Sequence, residues 1–157
     1  MKLQVLYGGE LSQSVTENFC EVAQSHSHDV KVFDMKDFKK ANIDSVESFT
    51  IFIVQTIEND QVPESAVRMY SFLKNLSHPA DLLSKLKFAV IGLGDSNLLQ
   101  DRQTTTAKDC NQCGKVMYKR LNDLGGKSMH ELCMADERSE LSEIEPWLAS
   151  FFSSLSE

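Results

Sequence analysis

Two hydrophobic periods take turns along the chain. "KLQVLY" (2–7) is a short apolar strand that stops at Gly8-Gly9. Val15, Phe19 and Val22 then fall at i, i+4 and i+7, which predicts a helix over 12–24. Ser14 and Glu17 have the spacing of a capping box at its start. "DVKVF" (29–33) alternates as an edge strand does. "FTIFIVQ" (49–55) is almost unbroken in β-branched and aromatic residues, the pattern of a strand covered on both faces. After Pro63, the residues Ala66, Met69, Tyr70, Leu73 and Leu76 form a helical stripe with proline near its first turn. "LKFAVIGLG" (86–94) is a second fully apolar strand, and the polar, threonine-rich stretch 100–112 reads as a loop. Met117, Leu121 and Leu124 mark a helix over 115–124, stopped by Gly125-Gly126. "KSMHELCMA" (127–135) is the last strand. Leu141, Ile144, Trp147, Leu148 and Phe151 mark the last helix, in which Pro146 should produce a kink or a later start.

Strands that alternate with helices predict an α/β domain with a parallel sheet covered on both sides, spanning residues 1–157 as one unit. Right-handed crossovers favour the strand order 2-1-3-4-5. Sheets of this kind bind ligands beyond the carboxyl ends of their strands. Three loops should line that crevice: 8–14, 55–62 and 92–109.

Composition narrows the partners. Sixteen basic and twenty-three acidic side chains leave a formal charge of -7, which argues against nucleic acid or an anionic membrane surface and suits a basic redox partner. The apolar run at the amino terminus is too short for a signal peptide and nothing approaches a membrane span, so a cytoplasmic setting is expected. The four cysteines are then expected to be reduced. Cys110-Asn-Gln-Cys113 enters a helix, where the dipole lowers a thiol pKa, so Cys113 is expected to be the most reactive of them. No second C-x-x-C or paired-histidine motif completes a zinc site. His26, His28, His78 and His130 are scattered, and no Ser/His/Asp order or carboxylate pair supports hydrolysis.

Three longer stretches carry a resemblance. "LLSKLKFAVIGLGDSN", "CNQCGKVMYKRLNDLGGKSMHELCMADE" and "EIEPWLASFF" together resemble the flavodoxin-like FMN domain of diflavin reductases, within that family most nearly the domain of methionine synthase reductase. The resemblance implies a flavodoxin-like three-layer sandwich with a five-stranded parallel sheet of order 2-1-3-4-5. It also implies bound FMN and a relay of electrons from an FAD/NADPH reductase module to an acceptor protein, methionine synthase being the candidate. The chain would then be an electron-transfer component without complete catalytic machinery of its own. Carried over position by position, the flavin contacts would be Gly9, Glu10, Leu11, Ser12, Gln13 and Ser14 in the first loop. Thr56, Ile57 and Glu58 follow in the second, and Gly92, Leu93, Gly94, Asp95 and Leu98 in the third. Asp136, of the Ala-Asp pair, completes the set.

Departures from the family pattern cluster in these loops. Ser12 stands where the family has a glycine, and Glu10 brings a like charge towards a phosphate. Glu58, Asn59 and Asp60 replace a Gly-x-Gly arrangement, where non-glycine residues restrict positive φ. Leu98 replaces the tyrosine that stacks on the flavin, and stacking is worth about 1 kcal/mol beyond burial. FMN binding is therefore expected to be weak. The alternative is a flavodoxin-fold protein that has lost FMN and acts as a protein-interaction domain.

Overall fold

The first six residues of β3 (Phe49–Gln55) are all buried, as are all but the first of β4 (Lys87–Gly94). Such runs belong in the middle of a sheet covered on both faces, and that is where the computed structural model places them. It describes residues 2–39, 43, 49–57, 61–95 and 111–155, with the backbone alone for Arg138. β1 (Lys2–Gly8) pairs with β2 (Asp29–Asp34) on one side and with β3 on the other, and β3 pairs with β4. Two short strands, β5 (Lys127–Ser128) and β6 (Cys133–Asp136), both pair with β4. Among the described residues every pairing between these strands is parallel, in the order β2-β1-β3-β4-β5, with β6 also on β4. The expected 2-1-3-4-5 sandwich is the fold.

Alternate residues of each strand feed opposite layers. Leu3, Val5, Ile51, Ile53, Ala89 and Ile91 pack beneath α1 (Glu10–Ser25) and α4 (Ile144–Leu155), where Phe19, Phe151 and Phe152 form a ring cluster. Leu6, Phe52, Val54, Phe88 and Val90 face α2 (Val67–Lys74) and α3 (Gln112–Asp123), with Met69, Leu73, Met117 and Leu121 opposite them. β2 is an exposed edge, as its alternation predicts.

Four local expectations change. Residues 127–135 do not form one strand. Ser128 Oγ donates to the His130 carbonyl (2.7 Å) and Trp147 Nε1 to the Glu131 carbonyl (2.8 Å), so the segment between β5 and β6 leaves the ladder. Ser14 and Glu17 form no capping box, because α1 starts at Glu10 with Gly9 as its N-cap. The α2 stripe ends earlier than its pattern, since Leu76 lies beyond the helix and is 85% exposed. Pro146 produces the later start. α4 begins at Ile144, which puts the proline in the first turn, where no N–H is required, and leaves Leu141 in the preceding turn at φ 58°. Gly125, at φ 94°, ends α3 as predicted.

Candidate functional site

β1, β3 and β4 lie side by side, so their carboxyl tips bring the three loops of the sequence argument to one end of the sheet. At the tip of β1 the chain turns straight into α1. Gly9 adopts φ 109° and ψ 155°, a conformation open essentially to glycine alone. The start of a helix presents unpaired N–H groups, and here side chains of the protein accept from two near it. Gly9 N–H donates to Ser65 Oγ (3.1 Å), and Leu11 N–H donates to Gln55 Oε1 (3.3 Å). Ser12 is fully buried and its hydroxyl donates to the Gly8 carbonyl (2.7 Å), away from the crevice. Glu10, Gln13 and Ser14 are exposed, and Leu11 packs against the α1–α4 core. Beside this tip is a cavity of about 640 Å³ lined by Gly9, Glu10, Lys36, Gln55, Ile57, Pro63, Glu64 and Ser65.

The tip of β3 is tied inward. Thr56 continues the ladder by donating its N–H to the Leu93 carbonyl (2.8 Å). Its buried hydroxyl accepts the Cys113 N–H at the start of α3 (2.9 Å), satisfying a helix-start donor. Ile57 donates its N–H to the Gln61 carbonyl (2.8 Å) and faces solvent. Glu58 lies outside the described residues, as do Asn59 and Asp60.

The tip of β4 is crowded. A Cβ added at Gly92 would meet Asn111 Oδ1 at 2.8 Å, and one at Gly114 would meet the Gly92 Cα at 3.1 Å. Asn111, wholly buried, donates from Nδ2 to the Ala135 carbonyl of β6 (2.9 Å). Asn111 and Gly114 therefore clamp α3 onto β4 and β6. Leu93 is buried beneath α1 and α4, and Gly94 pairs with Asp136. Asp95 is half-buried and Asp136 almost wholly buried. Leu98 lies outside the described residues. Burial, then the charges of Asp95 and Asp136, holds the Glu137 carboxyl above its usual range. The Asp136 N–H donates to Glu143 Oε2 (3.3 Å), and the Ser139 hydroxyl bonds Glu143.

Among the described thiols, burial withdraws Cys113 from the high reactivity that its helix position suggests. Cys113 sits at the start of α3 but is fully buried, so the helix dipole acts on a sulfur that reagents do not reach. Cys133 is buried, and its pKa is pushed up to about 12, chiefly by desolvation. Cys20 is half-exposed, and its thiol is pushed up by burial and by Glu17. Cys110 lies outside the described residues. All four histidines pack against rings: His26 and His28 on Phe152 (5.2 and 5.7 Å), His78 on Phe72 (4.4 Å) and His130 on Trp147 (5.1 Å). Among the described residues no three His, Cys, Asp or Glu side chains are grouped to hold a metal ion, and no helix is long and apolar enough to cross a membrane.

Ser65, Lys36 and the clamp role of Asn111 left no mark in the sequence, and Gln55 stood there only as the first residue of the second loop. Gln55 left one signal, as the single polar residue closing the apolar run of β3 other than Thr50. Among the described residues, the converged strand tips and the cavity beside Gly9 leave an open site at the β1 and β3 tips. A phosphate at the start of α1 would need N–H groups of the kind that Gly9 and Leu11 already give to Ser65 and Gln55.

Comparison with known proteins agrees with this architecture. The chain is 33% identical over 94% of its length to NADPH-dependent diflavin oxidoreductase 1 of Danio rerio. It is 25% identical over 96% of its length to methionine synthase reductase of Homo sapiens. It spans 24% and 21% of those two relatives, so it corresponds to a quarter of their length or less. A cysteine-to-serine mutant of flavodoxin from Pseudomonas aeruginosa superposes with a TM-score of 0.76 at 18% identity, covering all of both chains. The flavodoxin family model matches residues 11–148, and with the sheet order and strand-tip crevice already described, the chain belongs to the flavodoxin family.

Proposed function

We propose that this chain is an FMN-binding electron-transfer domain that receives electrons from an FAD/NADPH reductase module and passes them to an acceptor protein. The observation that carries the reading is the convergence of the β1, β3 and β4 tips on one crevice in a chain of this family. FMN, when bound, supplies one-electron chemistry that no amino-acid side chain in the crevice provides. The protein's part is positioning and electrostatics. Gly9, Glu10, Gln13 and Ser14 would face the phosphate end, and Thr56, Ile57 and Glu58 one side of the ring. Gly94, Asp95 and Leu98 would take the other side, with Asp136 behind them. Asp95, Asp136 and Glu137 concentrate negative charge at the β4 tip, which opposes added negative charge on an occupant of the crevice. The charge of -7 favours reductase and acceptor surfaces of opposite sign.

Purified protein mixed with FMN and then desalted tests the reading. A retained visible flavin band, with binding seen by titration calorimetry, upholds it. Absence of both favours the second reading, a flavodoxin fold that has lost FMN and acts through protein contacts. The occupied Gly9 and Leu11 N–H groups give that alternative its footing.

A further inference from the structure

The start of α1 is filled from within. Gln55 comes from the end of β3 and Ser65 from the turn before α2, and both lie across Gly9. Their contact is intimate, because a Cβ on Gly9 would lie 2.6 Å from Gln55 Oε1 and 2.9 Å from Gln55 Cβ. Gln55 Oε1 accepts the Leu11 N–H, and Ser65 Oγ accepts the Gly9 N–H. Two neutral oxygens therefore stand where a phosphate oxygen would have to stand to use these donors. An arriving phosphate must turn the Gln55 amide away, losing one hydrogen bond to gain another, and it meets Glu10 on the same rim. The isoalloxazine and ribityl parts of a flavin do not call on these two donors.

We propose that Gln55 is a specificity-determining residue that holds the place of the flavin phosphate, so that the crevice binds riboflavin about as well as FMN. The inference rests on the FMN reading above. It differs from general weak binding, because the penalty falls on the phosphate alone. Lys36, whose ammonium lies 3.9 Å from Asp34 Oδ2, lines the same cavity.

Fluorescence titration of wild type, Gln55→Ala, Gln55→Met and Gln55→Glu with FMN and with riboflavin tests it. Gln55→Met keeps the bulk and removes the acceptor, and Gln55→Glu keeps the acceptor and adds charge. Circular dichroism verifies that each variant is folded. The expected wild-type preference for FMN over riboflavin is under about threefold. It should rise at least about tenfold in Gln55→Ala, equivalent to ~1.4 kcal/mol, rise less in Gln55→Met, and reverse in Gln55→Glu. Riboflavin affinity should stay level throughout. A strong FMN preference in wild type, or equal changes for both flavins, overturns the proposal. A second readout does not depend on flavin: the amide NMR signals of Gly9 and Leu11 during titration with inorganic phosphate. Shifts in Gln55→Ala but not in wild type support the placeholder even where neither flavin binds, in which case the FMN reading alone fails. Shifts in both proteins, or in neither, overturn it.

Discussion

The tips of β1 and β4 both carry glycines with no room for a Cβ, and they differ in what else holds them: Gly9 also takes φ 109°, whereas Gly92 is set by space alone. At β1, Gly9 is required by conformation, because φ 109° is strained for any side chain, and the donors there are met by movable side chains. At β4, Gly92 is required by space: Asn111 and Gly114 of the α3 start press against it, and Asn111 is bonded on to Ala135. The first is a turn whose partners can be exchanged, and the second is a packed joint. A glycine-rich strand end is thus not in itself a ligand cradle. The familiar Gly-Leu-Gly-Asp stretch lies at the tip where glycine serves the fold most directly.

Breaking the joint should have the largest effect. Gly92→Val places branched carbon into a site where the first atom already falls 2.8 Å from Asn111 Oδ1 and 3.4 Å from the Cys133 carbonyl. Overpacking of a buried site costs about 1–3 kcal/mol, and the upper end is expected here because Asn111 is held on its other side. Urea unfolding should show a lower midpoint with the slope unchanged. A midpoint equal to wild type would mean that the joint yields freely.

The exchangeable tip should be more tolerant. Gln55→Ala removes the acceptor of the Leu11 N–H, yet Gln55 is only half-buried, so water replaces the lost oxygen. The expected loss is ~0.5–1 kcal/mol, the net value of an ordinary hydrogen bond, read from the same urea curves. A loss as large as that of Gly92→Val would abolish the contrast between the two tips.

The same contrast explains what was legible in the sequence. β3 and β4 were readable residue by residue, because a strand buried on both faces leaves an unbroken apolar run. The parallel sheet followed from the alternation of periods, and its 2-1-3-4-5 order was implied by the family resemblance. The break between β5 and β6 was hidden, since it depends on Trp147 reaching the Glu131 carbonyl from another element. The α1 start was misplaced because Ser14 and Glu17 imitate a capping box, whereas Gly9 begins the helix by its φ value, which no residue pattern displays. At the candidate site the loops were legible and their internal partners were not. Ser12 looked like a phosphate ligand by residue type, yet its hydroxyl is spent on Gly8. Cys113 looked reactive by its place on a helix, yet the Thr56–Cys113 bond draws that helix start into the core.

The smallest expected effect concerns charge at the β4 tip. Glu137 is exposed, but partial desolvation and the carboxylates of Asp95 and Asp136 raise its pKa in the folded protein. In the unfolded chain those neighbours are dispersed and the pKa returns to the ordinary glutamate range. Between the two values the folded state holds more protons than the unfolded one. Stability therefore falls as pH rises from the ordinary range through the raised value, and the deficit is complete above it. Glu137→Gln removes the titration. The variant should be more stable than wild type at neutral pH, by no more than the ~0.5 kcal/mol of a surface substitution. That advantage should shrink as pH drops and vanish below the ordinary carboxylate range. Salt should also reduce it, because exposed charges are screened. Thermal unfolding of both proteins across this pH series, at low and high salt, decides the matter. If Glu137→Gln is less stable than wild type at pH 7, the carboxylates do not repel one another there. The β4 tip would then be a joint made by packing alone, with no electrostatic load on it.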